Sequence, residues 1–142
     1  ILELRKMKLK KILLLGLALL ISNQVTWANE VELSKQYDNC MDNSGGITVE
    51  MLDCIGAETR RQDIKLNTAY KDLIRLIPAQ RQKQLQDTQR AWIKYRDLNC
   101  DFYADPNSGT SATLNSSSCF LDATASRVKE LEWFKEYYEA VN

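Results

Sequence analysis

Four cysteines and a scatter of carboxylates are the residues whose types could do chemistry in this chain. Cys40, Cys54, Cys100 and Cys119 are even in number, none is spaced Cys-x-x-Cys, and the sequence contains no histidine. The usual zinc-ligand pattern is therefore missing, and so is the usual general base near neutral pH. Behind an export signal, an even cysteine count reads as two disulfides. Oxidised cysteines offer no thiolate nucleophile. Paired carboxylates could run glycoside chemistry, and Glu50 and Asp53 stand three apart. Acidic residues in the first turn of a helix, however, are accounted for by the helix dipole. No phosphate-binding loop or other catalytic signature is present. The expectation is a binding protein with no catalytic residues, cofactor or metal.

The carboxylates are unevenly placed. Asp38, Asp42, Glu50, Asp53, Asp97, Asp101, Asp105 and Asp122 all fall near cysteines in the sequence. Glu50, Asp53 and Asp122 suit helix N-termini. Asp97 and Asp101 are assigned to the C-terminal end of a helix, where negative charge is unfavourable. Charge set against the local dipole points to a cationic partner, with complementarity that would speed encounter.

The elements that must position these groups read as helices. Thr48 is expected to cap the first, with Glu50 in its first turn. Its apolar stripe is Ile55, Leu66, Ala69, Tyr70, Leu73, Leu76 and Ile77, recurring at three- and four-residue steps. Pro78 ends it and opens the next helix through a tight corner. The second stripe is Leu85, Thr88, Trp92, Tyr95 and Asn99, with Ile93 and Leu98 beside it. Gln89, Arg96, Asp97 and Arg127 are expected to form a polar network between the second and third helices, because buried charges need partners. Residues 101–118 are rich in Ser, Thr, Asn and Gly and read as a long loop, a kind of connection that is usually functional or mobile. Ser118 or a neighbouring serine would then cap a third helix with the stripe Leu121, Thr124, Val128, Leu131, Phe134 and Tyr138. Trp133 and Tyr137 fall off that stripe and could be a second packing face, covered by the N-terminal arm, or a self-association surface.

In front of the helices, Met7 opens a basic stretch (Lys8, Lys10, Lys11), an apolar run from Ile12 to Ile21 follows, and Thr26-Trp27-Ala28 closes the segment. That is the pattern of a secretory signal peptide over residues 1–28, with residues 1–6 upstream of the start methionine. The apolar run is short of the about 20 residues of a membrane span, which favours a cleaved leader over the alternative of an uncleaved N-terminal anchor; no stable insertion is expected after cleavage. Residues 29–47 read as an irregular arm and 48–142 as the helical domain. The full chain has 19 basic and 19 acidic residues; from residue 29 onwards there are 14 and 18, a net charge of −4. A nucleic-acid partner would call for a basic face.

The fold expected is thus all-α: a three-helix antiparallel bundle with an irregular N-terminal arm, stapled by two disulfides. Four cysteines permit three pairings. The antiparallel order brings Cys54, Cys100 and Cys119 to one end, and the local pairs Cys40–Cys54 and Cys100–Cys119 are favoured. Each would close a loop contributing roughly 3 kcal/mol.

Several motifs match a known family. They are Thr48 to Cys54, Leu66-Asn67-x-x-Tyr70-x-x-Leu73, and Leu85-x-x-x-Gln89-Arg90-x-Trp92-Ile93-x-Tyr95-Arg96-Asp97-x-x-Cys100. After the Gly109-Thr110-Ser111 turn comes Cys119-x-x-x-x-Thr124-x-x-Arg127-x-x-x-Leu131. Over residues 38 to 132 the chain resembles the lysozyme-inhibitor LprI-like family, also described as a domain of unknown function. The Gln-x-x-Trp-x-x-x-Arg-Asp-x-x-Cys block is its most specific part, and the serine-rich loop departs from the family's double-glycine turn. The resemblance implies an exported, periplasmic or secreted helical protein and, for some members, inhibition of lysozyme. The expected partner is accordingly a protein, a cationic lysozyme foremost. Asp101, Asp105, Asn107, Ser108, Gly109, Thr110 and Ser111 are the expected partner-binding residues. The alternative is an envelope interaction or toxin-immunity protein with another target.

Overall fold

The structure, a computed structural model, describes residues 31–141; the expected signal peptide lies outside them. Four α-helices make up the described part: α1 (Lys35–Asn43), α2 (Thr48–Leu76), α3 (Ala79–Phe102) and α4 (Thr110–Val141), with a 3-10 turn at Pro106–Ser108. The all-helical expectation stands; the helix count is four, not three. The cysteines pair as Cys40–Cys54 and Cys100–Cys119, with Cα separations of 5.7 and 5.4 Å.

Two sequence-based boundaries need correction. The arm at 29–47 is not irregular, because it contains α1. Ser34 caps that helix, its hydroxyl accepting from the Tyr37 amide at 3.2 Å, a standard way to satisfy a first-turn donor. The Cys40–Cys54 bond then holds α1 on α2. Residues 101–118 are likewise not a long loop: α3 runs to Phe102 and α4 starts at Thr110. The Ser/Thr/Asn run is helical because tertiary packing overrides weak propensity, with Ser116 and Ser117 set opposite Gly56 of α2. No serine caps α4. At the start of α2, Ile47 takes the N-cap position and Thr48 is already helical.

Helix directions follow from which ends meet. Cys100 at the end of α3 is bonded to Cys119 near the start of α4, while Arg81 at the start of α3 donates to the Tyr138 hydroxyl near the end of α4. These two helices are antiparallel. Lys135 of α4 pairs with Asp72 near the end of α2, and Phe120 lies beside Ile55 near its start, so α2 and α4 run parallel. Their pairing is the main contact of the fold. The core holds Leu66, Ala69, Leu73, Ile77, Val128 and Leu131, with Tyr70, Leu85, Trp92, Phe134 and Tyr138 packed around it.

The inner face of α3 differs from the expected stripe. Thr88 and Tyr95 are exposed, whereas Gln89 and Trp92 are half-buried and Arg96 and Cys100 buried. The true stripe is Leu85, Gln89, Trp92, Arg96 and Cys100, at steps of four and three. The expected stripe runs through Thr88 and Tyr95, whereas Gln89 and Arg96, expected in a polar network with the third helix, occupy the inner face themselves and reach partners on α4. This generates a contrast measurable by denaturant unfolding. Trp92→Ala should lose about 3 kcal/mol as a large aromatic truncated in a packed layer, while Tyr95→Ala should stay within about 0.5 kcal/mol as a surface change.

Candidate functional site

Four regions could carry function: two polar clusters in the interior, a groove, and the acidic end marked by the disulfides. The first interior cluster surrounds Glu58, which has no exposed surface. Its carboxylate accepts from the Ser34 amide (3.0 Å), the Ser34 hydroxyl, Arg61 (2.7 Å) and Gln62 (2.7 Å). Burial alone would raise its pKa. The hydrogen bonds from Ser34, Gln62 and Arg61 outweigh that and bring the carboxyl from 4.5 down to about 2. Every carboxylate oxygen is engaged by the protein itself, so this group anchors the N-terminal segment on α2 and is not poised for proton transfer.

The second cluster joins α3 to α4. The Arg96 guanidinium lies between two rings, 3.8 Å from the Phe120 centroid and 5.0 Å from that of Trp92. It also donates to Asp97 and to the Thr124 hydroxyl (3.4 Å). Arg127 stands 5.7 Å over the other part of the layer at Trp92, donating to Gln89 (3.0 Å) and Glu130 (2.6 Å). Among the described residues, no buried side-chain polar atom lacks a partner. Beside this layer, a groove of about 520 Å³ opens between Leu73, Ile77, Leu85, Phe134 and Tyr138, with Arg81, Arg127 and Glu130 on its walls. Its buried charge is neutralised from within, so nothing in it asks for an ionic ligand.

The acidic end is different, because its charge faces outward. Asp101 lies exposed in the last turn of α3. Asp105 caps the 3-10 turn, its carboxylate accepting from the Asn107 amide (2.8 Å) and side chain (3.1 Å). Gly109 takes φ +57°, a left-handed backbone that favours glycine. Thr110 and Ser111 open α4. The residues expected to bind a partner therefore do come together, as a short pinned turn and not as a long loop. Neither Asp101 nor Asp105 pairs with a cation among the described residues; Asp97 pairs with Arg96 at 2.9 Å. The carboxylates are felt locally. The Tyr37 phenol is pushed up by burial and by Asp122, Asp38 and Glu58, and burial pushes the Asp122 carboxyl up. Sequence reasoning missed the apolar side chains beside them: Leu98, Phe102 and Tyr103 are exposed. Their spacing of three and four residues with Tyr95 was the available signal.

At the other end of α4, Trp133 and Tyr137 are exposed, with ring centroids 6.2 Å apart. The N-terminal arm does not cover them, since α1 is bonded to the start of α2. Among the described residues no cluster of Cys, Asp or Glu could hold a metal ion, and no helix is long and apolar enough to cross a membrane.

The family described as Lysozyme inhibitor LprI matches residues 40–131, a span running from the first cysteine to Leu131 and holding both disulfides and the arginine–tryptophan layer. The chain belongs to the LprI lysozyme inhibitor family. No curated protein and no solved structure matches it. Membership and two disulfides together fit an extracytoplasmic protein.

Two expected outcomes follow from the interior clusters. The Glu58 carboxyl titrates near 2 when folded and near 4.5 when not. Its contribution is therefore complete above about pH 4.5 and is lost as the pH falls towards 2, amounting to roughly 2–3 kcal/mol. Urea unfolding at pH 6 and pH 2 should show that loss in the wild type and a smaller one in Glu58→Gln. Arg127→Ala should cost about 2–3 kcal/mol by leaving Gln89 unpartnered and Trp92 uncovered. Stability should fall before partner binding does, and binding lost with the thermal midpoint intact would contradict this assignment.

Proposed function

We propose that the protein is an exported binding module that inhibits a lysozyme-type glycan hydrolase by occluding its cleft. The observation that carries this reading is the acidic end: outward-facing carboxylates gathered around a rigid, exposed turn in a member of the LprI lysozyme inhibitor family. The partner is a cationic protein. Asp101, Asp105 and the turn from Asn107 to Ser111 provide the contact, with Asp105 spending its lone pairs on holding the turn and Asp101 directed to the partner. Rigidity matters here, because a turn pinned by its own cap and the adjoining disulfide loses little conformational freedom on binding. Occlusion needs no catalytic group, cofactor or metal. Export by a signal peptide over residues 1–28, with release into the periplasm or beyond, completes the proposal.

The test is lysozyme turnover on cell-wall substrate with the oxidised protein titrated in, at low and at physiological salt. Saturable inhibition that weakens with salt is expected, because the attraction between an acidic end and a cationic enzyme is screened over a Debye length of about 8 Å at physiological ionic strength. Asp101→Asn should slow association and reduce the salt dependence. Absence of inhibition across several lysozyme classes would overturn the proposal, and salt-independent inhibition would remove its electrostatic part.

A further inference from the structure

Phe102 is the most exposed large apolar side chain among the described residues, at 85% of its surface. It does not stand alone. Tyr95 and Leu98 are 64% and 61% exposed, and Tyr103 follows at the end of the helix, also exposed. Positions 95, 98 and 102 are spaced by three and four, so they share one face of α3. That face is separate from the one meeting α4, which carries Gln89, Trp92, Arg96 and Cys100. A run of large apolar groups left in water on a soluble helix marks an interaction surface.

We infer that this stripe, Tyr95, Leu98 and Phe102, flanked at the helix end by Tyr103, is the apolar centre of the surface that enters the hydrolase cleft, with Asp101 as its charged rim. The inference rests on the inhibitor reading and names the contact within it. Three observations favour a cationic protein with an apolar groove as the occupant. The first is charge: Asp101 lies in the final turn of α3, where the helix dipole is already negative, so an approaching cation is attracted by carboxylate and helix end together. The second is composition, since aromatic anchors surrounded by polar groups are the usual centre of a protein–protein contact. The third is rigidity. Cys100, on the α4-facing side of the same turn, is bonded to Cys119, so the last turn of α3 is held on α4 and presents its apolar face without reordering.

The experiment compares inhibition constants of the oxidised wild type, Leu98→Ser/Phe102→Ser and, as a control from the opposite end, Trp133→Ser, against a lysozyme of the class the wild type inhibits. The double variant is expected to weaken inhibition by about tenfold or more with its thermal midpoint unchanged, and the Trp133 variant by less than about twofold. Hydroxyl-radical footprinting of the wild-type complex supplies a readout free of substitution; Leu98 and Phe102 should be protected and Trp133 should not. A double variant as potent as the wild type, or Phe102 still reactive in the complex, overturns the inference while the inhibitor reading survives. A wild type that inhibits no lysozyme overturns the reading, and the assignment of this surface with it.

Discussion

Beside Leu85, which packs on the core, two arginines set against Trp92 hold α3 in place. The strongest pairing is between α2 and α4, and on α3 only Arg96 and Cys100 are buried. Between the proline corner at Pro78 and the cystine at Cys100, its attachment is Leu85 on the core and Trp92 lying against two guanidiniums, which donate to Asp97, Thr124, Gln89 and Glu130. Each arginine–ring contact contributes on the order of 0.5–2 kcal/mol, more as water is excluded. Such a layer depends on every donor having its acceptor, because an unpaired buried guanidinium would cost more than the ring contacts return. The most specific block of the family motif, Gln89 to Cys100, is therefore the device that fixes a polar helix on an apolar pair.

This arrangement leaves the outer faces of α3 free. A helix anchored through apolar side chains would commit most of its hydrophobic residues inward. Here one leucine, a tryptophan, two arginines of the interface and a disulfide suffice, so Tyr95, Leu98 and Phe102 remain at the surface without loss of the fold. The same end gathers the carboxylates. Glu58 shows the opposite use of an acidic group: enclosed by four donors, it closes the N-terminal segment onto α2 and presents no charge outside. Asp101 has no such enclosure.

The apolar stripes of α2 and α4 were legible in the sequence because leucine, isoleucine and valine recur there at helical steps. So was the local pairing of the cysteines, which short loops favoured. Stripes assigned by residue type failed on α3, where the inward positions carry Gln89 and Arg96 and the outward ones Tyr95 and Leu98. The segment from Ser111 to Ser118 failed for a related reason: its residues are weak helix formers, and its helicity comes from packing on α2 that composition does not reveal. Residues 35–43 are mostly polar, and Tyr37, Cys40 and Met41 make a stripe too short to stand out from its surroundings; the Ser34 cap and the cysteine were the other signals of a docked helix.

The candidate surface was half visible on the same grounds. Charge is a property of residue type, so Asp101 and Asp105 could be placed at the cysteine end from topology alone. Exposure of an aromatic residue is a property of context. Tyr95 falls on the expected apolar stripe until Arg96 is known to occupy the inner face, and only then does an apolar face on a polar helix become a surface to be explained. The connection runs in one direction: a guanidinium satisfied inside the protein releases hydrophobic side chains for use outside it, next to carboxylates that the helix dipole makes costly to keep without a partner.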